Sequence, residues 1–162
     1  MIKPKIYLDT SVVSHYYADD APEKRDDTRK LWEQLMQGEL EVVVSPVVYE
    51  EIAKCKTQQE REVLIDLLDE LDFTDVEETN ETDDLVNKYL ATEVLKPKNM
   101  NDCRHIAVAS IYGCMYILSW NMKHFVKRRT IEMVQDINRK LGLIQPNIFT
   151  PATFIEGDDE NV

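Results

Sequence analysis

Short, uninterrupted apolar runs that each stop abruptly at a polar residue constrain this chain more than any other feature. Lys5-Ile6-Tyr7-Leu8 ends at Asp9, Glu41-Val42-Val43-Val44 ends at Ser45, and Cys114-Met115-Tyr116-Ile117-Leu118 ends at Ser119. A strand with one wet face alternates apolar and polar residues, whereas a strand covered on both faces reads as a continuous apolar run. Phe73-Thr74-Asp75-Val76 and Asn147-Ile148-Phe149 are weaker runs of the same kind.

Between the runs lie segments with helical spacing. Leu31, Trp32 and Leu35 share one side of Glu23–Gln37, which Gly38 closes. Ser45-Pro46 makes an N-cap and first-turn pair for a helix reaching about Cys55. Glu60–Leu71, Thr82–Leu95, Asn99–Tyr112 and Thr130–Leu141 repeat the pattern, the last two closed by Gly113 and Gly142. Strands alternating with helices predict an α/β fold of three layers, a parallel sheet of four to five strands with helices on both faces. For 162 residues one domain is expected, over 1–156, with 157–162 as a disordered tail.

Charge and composition narrow the function. Thirty-one Asp and Glu against 19 Lys and Arg leave a formal net charge of -12, which argues against broad, nonspecific nucleic-acid binding. No apolar run approaches the ~18–20 residues of a membrane span, and the N-terminal apolar segment is too short for a signal peptide, so a cytoplasmic protein with no membrane contact is expected. Cys55, Cys103 and Cys114 are an odd number without a Cys-x-x-Cys pair, which suits core packing in a reducing compartment.

Four polar residues stand where a parallel sheet binds ligands, outside the carboxyl ends of the strands. Asp9 follows the first strand, Glu51 lies in the second turn of the helix after the second, Asp102 opens the helix before the fourth, and Asn121 follows the fourth. Taken singly, each has a plain structural role: Asp9 fits a helix N-cap, Asp102 suits the positive end of a helix, and Glu50 and Glu51 read as solvated helix residues. His105, one turn beyond Asp102, reads as a packing or hydrogen-bonding residue, and His15 offers less still.

Together the segments Ile6–Val12, Ser45–Ile52, Asp102–Ala109 and Leu118–Phe125 resemble, in order and spacing, the signature of PIN domains, which include the VapC-type toxins of bacterial toxin–antitoxin pairs. The resemblance extends to Pro146–Pro151, which looks like that family's last strand. It implies a PIN-like fold, an acidic pocket holding Mg²⁺ or Mn²⁺, cleavage of RNA, a cognate antitoxin and a homodimer. Asp9, Glu51 and Asp102 match the family's first three acids, and Asn121 falls where many members have a fourth. The acid before Ile52 favours Glu51 over Glu50. Thr10 and Ser119 match small hydroxyl residues near the metal.

The chemistry is coherent. Hydrolysing a phosphodiester needs an activated water and a counter-charge for the transition state, and a hard divalent cation held by carboxylates supplies both. Oxygen donors without His or Cys suit Mg²⁺ or Mn²⁺ over zinc. Carboxylates brought this close are expected to raise at least one pKa when the cation is absent. With Asn121 in place of a fourth acid the pocket carries a formal -3, which favours one tightly held metal over two. Lys123, His124, Lys127, Arg128 and Arg129 form an acid-free basic stretch directly after Asn121, read as a rim that guides RNA phosphates.

Two phosphotransfer alternatives fit poorly. A haloacid-dehalogenase-like site needs an acid where Ser11 stands, and a receiver domain needs acids where Lys3 and Lys5 stand. The rival that stays open is a PIN-like domain that binds RNA or protein with little or no cleavage.

Overall fold

The computed structural model describes residues 2–123 and 127–160. The strands are β1 (Lys5–Leu8), β2 (Glu41–Val44), β3 (Phe73–Asp75), β4 (Tyr116–Leu118) and β5 (Asn147–Phe149). The helices are α1 (Thr10–His15), α2 (Pro22–Met36), α3 (Pro46–Ile52), α4 (Gln58–Asp69), α5 (Asn80–Ala91), α6 (Met100–Ile111), α7 (Arg128–Lys140) and α8 (Pro151–Glu160). All neighbouring strands pair in parallel, in the order β3-β2-β1-β4-β5.

The apolar runs are continuous because their residues serve two cores. Alternate strand residues point to opposite faces. Ile6, Leu8, Val42, Val44 and Leu118 join one buried cluster with Leu31 and Trp32 of α2, Val48 and Ile52 of α3, and Leu64, Leu67 and Leu68 of α4. Tyr7, Val43 and Ile117 face the other way, onto Leu85 and Tyr89 of α5, Cys103 and Ile106 of α6, and Val134 of α7. Each fully buried side chain of this size stabilises the fold by about 1.5–3 kcal/mol. A one-residue slip of β1 would exchange both sets at once.

Thr10–His15 forms a helix capped by Asp9, whose side chain accepts from the Ser11 amide, the N-cap role read from the sequence. Two local features differ from the reading of the sequence. The fourth strand starts at Tyr116 instead of Cys114, because Gly113, at φ 73°, and Cys114 close α6; the Cys114 amide donates to the Ala109 carbonyl at 2.8 Å and is lost to the ladder. The chain after β5 forms α8, a helix that the reading of the sequence does not anticipate. Its start carries a readable signal, since Thr150 Oγ1 accepts from the Thr153 amide at 3.1 Å and Pro151 occupies the first turn. Phe154 and Ile155 of α8 pack against the cluster of β1 and α2.

Candidate active site

The strand order places a switch point between β1 and β4. From β1 the chain moves outward through β2 to β3, then returns to add β4 and β5 on the opposite side. Crossover connections diverge there, opening a crevice at the carboxyl ends. Leu8 pairs with Leu118, the Asp9 amide donates to the Leu118 carbonyl at 3.0 Å, and the residues that follow, Asp9 and Ser119, flank that crevice.

Asp9 is buried, and its carboxylate is held by hydroxyls. Ser11 Oγ donates to Oδ2 at 2.6 Å and Ser119 Oγ donates to the same oxygen at 2.7 Å. Ser11 Oγ also accepts from the Trp120 amide at 2.9 Å, which ties the segment after β4 to the start of α1. The N-cap role and the site role of Asp9 coexist: Oδ2 takes the local donors, and Oδ1 turns to α6.

Glu51 and Glu50 are adjacent on α3 and so project about 100° apart. Glu50 is exposed and accepts from both terminal nitrogens of Arg104 at 2.8 and 3.0 Å. Glu51 is half-buried and faces the strand ends, where Thr10 Oγ1 donates to its Oε1 at 2.8 Å. Burial by itself pushes the Glu51 carboxyl upward, yet its bond and charge interaction with His105, with Thr10 and Lys54 assisting, hold it below the usual carboxylate range. The expectation of a raised pKa is therefore not met at this residue.

The cause is His105, which the sequence reading left outside the site. Its ring is fully buried, with Nε2 at 2.6 Å from Glu51 Oε1 and 3.1 Å from Asp9 Oδ1. Ligand atoms of Asp9, Glu51 and His105 lie within 4.8 Å of one another, which makes them a group able to hold a divalent cation. The group is two carboxylates beside an imidazole. On its other side, Nδ1 lies 2.5 Å from the Tyr7 hydroxyl, and that hydroxyl lies 2.6 Å from Ser45 Oγ. A signal existed: Asp102 and His105 are three apart on one helix, and hence share a face. Tyr7 is the one buried residue of its strand with a polar tip.

The remaining expected residues fall around this core. Asp102 is in the first turn of α6, half-buried, one turn before His105 and outside the 4.8 Å group. Asn121 is exposed, and its amide donates to Ser119 Oγ at 3.1 Å. Lys123 is exposed and, with Ser119, Trp120, Phe149 and Thr150, lines a cavity of about 280 Å³. Lys127, Arg128 and Arg129 are exposed at the start of α7, where Arg128 pairs with Glu132 at 2.8 Å. His124 lies outside the described residues.

A central strand flanked by crossovers, with acids converging at the switch point, defines a parallel α/β protein with a side-chain group able to hold a cation. The PIN domain family model matches residues 6–124, and the chain belongs to the PIN domain family. Members of this family are generally nucleases that use a divalent metal. Among solved structures, VapBC2 from Rickettsia felis bound to a DNA fragment from their promoter is similar, with a TM-score of 0.59 at 16% identity, covering 90% of this chain and 98% of that one. That likeness is one of fold. None of the curated proteins matches the chain. Among the described residues no helix is long and apolar enough to cross a membrane.

Proposed function

We propose that this chain is a divalent-metal-dependent ribonuclease and the toxin of a type II toxin–antitoxin pair. One observation carries the reading: Asp9 from the end of β1 and Glu51 from α3, 42 positions apart, converge on one point at the switch end of the sheet. Burying two carboxylates together costs free energy unless a cation or strong donors offset it, so folds seldom assemble such pairs without a use.

A bound Mg²⁺ or Mn²⁺ supplies a water of lowered pKa and polarises the phosphoryl oxygen. Asp9 and Glu51 hold that ion, and Asp102 and Asn121 complete its surroundings. Asn121 in place of a fourth acid favours a single tightly held ion. Ser11 and Ser119 fix Asp9 through Oδ2, and Thr10 fixes Glu51 through Oε1, so the carboxylates are oriented before substrate arrives. Lys123 beside Ser119 meets the RNA backbone, with Lys127, Arg128 and Arg129 extending the positive edge, and His124 belongs to the same stretch of sequence. Against a net charge of -12, so small a basic edge gives weak, salt-sensitive affinity for RNA.

The partner proposed is a cognate antitoxin, which the likeness to a VapBC complex supports. A homodimer and a cytoplasmic location accompany this reading. The test is cleavage of RNA by purified protein with Mn²⁺. Asp9→Asn and Asp102→Asn are each expected to abolish it while the circular dichroism spectrum stays native, and full activity in both variants would overturn the proposal.

A further inference from the structure

We propose that His105 is a positioning residue of the metal site, an N–H clamp that holds Asp9 and Glu51 at one cation position without itself ligating the ion. The inference rests on the metal-dependent reading above and assigns within it a residue that neither motif nor family match singles out.

The hydrogen-bond inventory dictates the clamp. Ionised carboxylates only accept, so the ring nitrogen 2.6 Å from Glu51 Oε1 carries a hydrogen toward it, and Asp9 Oδ1 lies 3.1 Å from the same nitrogen, within reach of its positive edge. Nδ1 is satisfied in either protonation state, because the Tyr7 hydroxyl can donate to it or accept from it while exchanging the complementary bond with Ser45 Oγ. Burial pushes the Tyr7 hydroxyl well above its ordinary pKa, so it stays a neutral two-way partner. Tyr7, Ser45 and His105 are all fully buried, which leaves the imidazole little freedom to turn.

The same geometry leaves room for a cation. Among the described residues, the bonds from Thr10 and His105 to Glu51 fall on Oε1, and the hydroxyl bonds from Ser11 and Ser119 to Asp9 fall on Oδ2. A carboxylate has about four acceptor sites, so Glu51 Oε2 and the second lone pair of Asp9 Oδ1 retain capacity for an ion. Partners that orient ligating carboxylates in this way typically contribute about 10–100-fold to metal affinity.

Two measurements test it. In calorimetric titration with Mn²⁺ alone, His105→Leu is expected to weaken binding by about 10–100-fold, and His105→Gln, which returns an N–H donor at a similar reach, to recover most of the loss. In ¹⁵N NMR of the wild-type protein, His105 Nε2 is expected to keep its directly bonded hydrogen when diamagnetic Mg²⁺ is added. Unchanged or tighter Mn²⁺ binding by His105→Leu overturns the clamp. Loss of the Nε2 hydrogen on adding Mg²⁺ also overturns it, since His105 is then a ligand. If the wild-type protein binds no Mn²⁺, the metal-dependent function fails first and the clamp with it, an outcome distinct from normal wild-type binding that ignores residue 105.

Discussion

Ser119 Oγ donates to Asp9 Oδ2 at 2.7 Å, joining the residue after β4 to the residue after β1 across 110 positions of sequence. The bond is buried at both ends, and its acceptor is a carboxylate. Hydrogen bonds to charged groups are worth about 1.5–3 kcal/mol, so Ser119→Ala is expected to lower stability by about that amount. In an Asp9→Asn background the same change should cost distinctly less, because the acceptor is no longer charged. Urea unfolding of the four proteins measures the coupling, and equal costs in both backgrounds would contradict it.

Metal should stabilise the folded chain. A ligand that binds only the native state at 100 times its Kd adds about 2.7 kcal/mol, equivalent at this chain length to roughly 5–10 °C in Tm. Thermal unfolding with saturating Mn²⁺ against EDTA should show a rise of that order in the wild type and none in Asp9→Asn. A wild-type Tm indifferent to Mn²⁺ and Mg²⁺ would argue against a metal centre.

Arg104 ties α6 to α3 and to the segment after β3, donating to Glu50 at 2.8 and 3.0 Å and to Glu78 at 2.8 and 2.5 Å. The bonds from Arg104 hold the Glu50 carboxyl below its ordinary pKa, although Glu50 is largely exposed and solvent screens the pair. A carboxyl lowered in the folded state stabilises the protein above its unfolded pKa, near 4.3, and that contribution is lost as pH falls through the folded value. Arg104→Ala should therefore cost about 1 kcal/mol near neutrality, with the Tm gap to wild type narrowing below about pH 4. Calorimetry from pH 7 to pH 3 tests this, and a gap that widens in acid would refute it.

The thiols should separate by burial. Cys103 and Cys114 are fully buried, and desolvation pushes both up to about 12, whereas Cys55 is only partly buried. Thiolate is the reactive form. An aromatic disulfide reagent at pH 8 should label Cys55 in the native protein, with Cys103 and Cys114 reacting only after unfolding. Peptide mass spectrometry identifies the labelled positions, and native labelling of Cys114 would contradict the packing.

The layer plan was legible because it is a local property: β1, β2 and the six amphipathic segments show their spacing within a dozen residues. Asp9, Glu51 and Asp102 could be singled out because each sits at a fixed offset from a strand or helix end. For His105 the spacing from Asp102 was legible but its role was not, since that role depends on Tyr7, about a hundred positions away, presenting a hydroxyl through the sheet face that α6 covers. The same limit applies to Ser11, whose use as a donor to Asp9 and acceptor from Trp120 depends on β4 lying beside β1. Helix α8 was obscured for the opposite reason: its signal, Thr150-Pro151, is local but also fits a strand end.

The central position of β1 has a consequence for synthesis. Its partners are β2, about 36 positions onward, and β4, about 110 onward. The carboxylates cannot be gathered until α6 has docked, and Asp9 is not locked until Ser119 has emerged and closed the seam. A nascent chain still held at its first hundred residues on the ribosome therefore carries Asp9 and Glu51 but no assembled centre. For a protein proposed to cut RNA, chain topology defers activity until the residues through Ser119 have been made and docked.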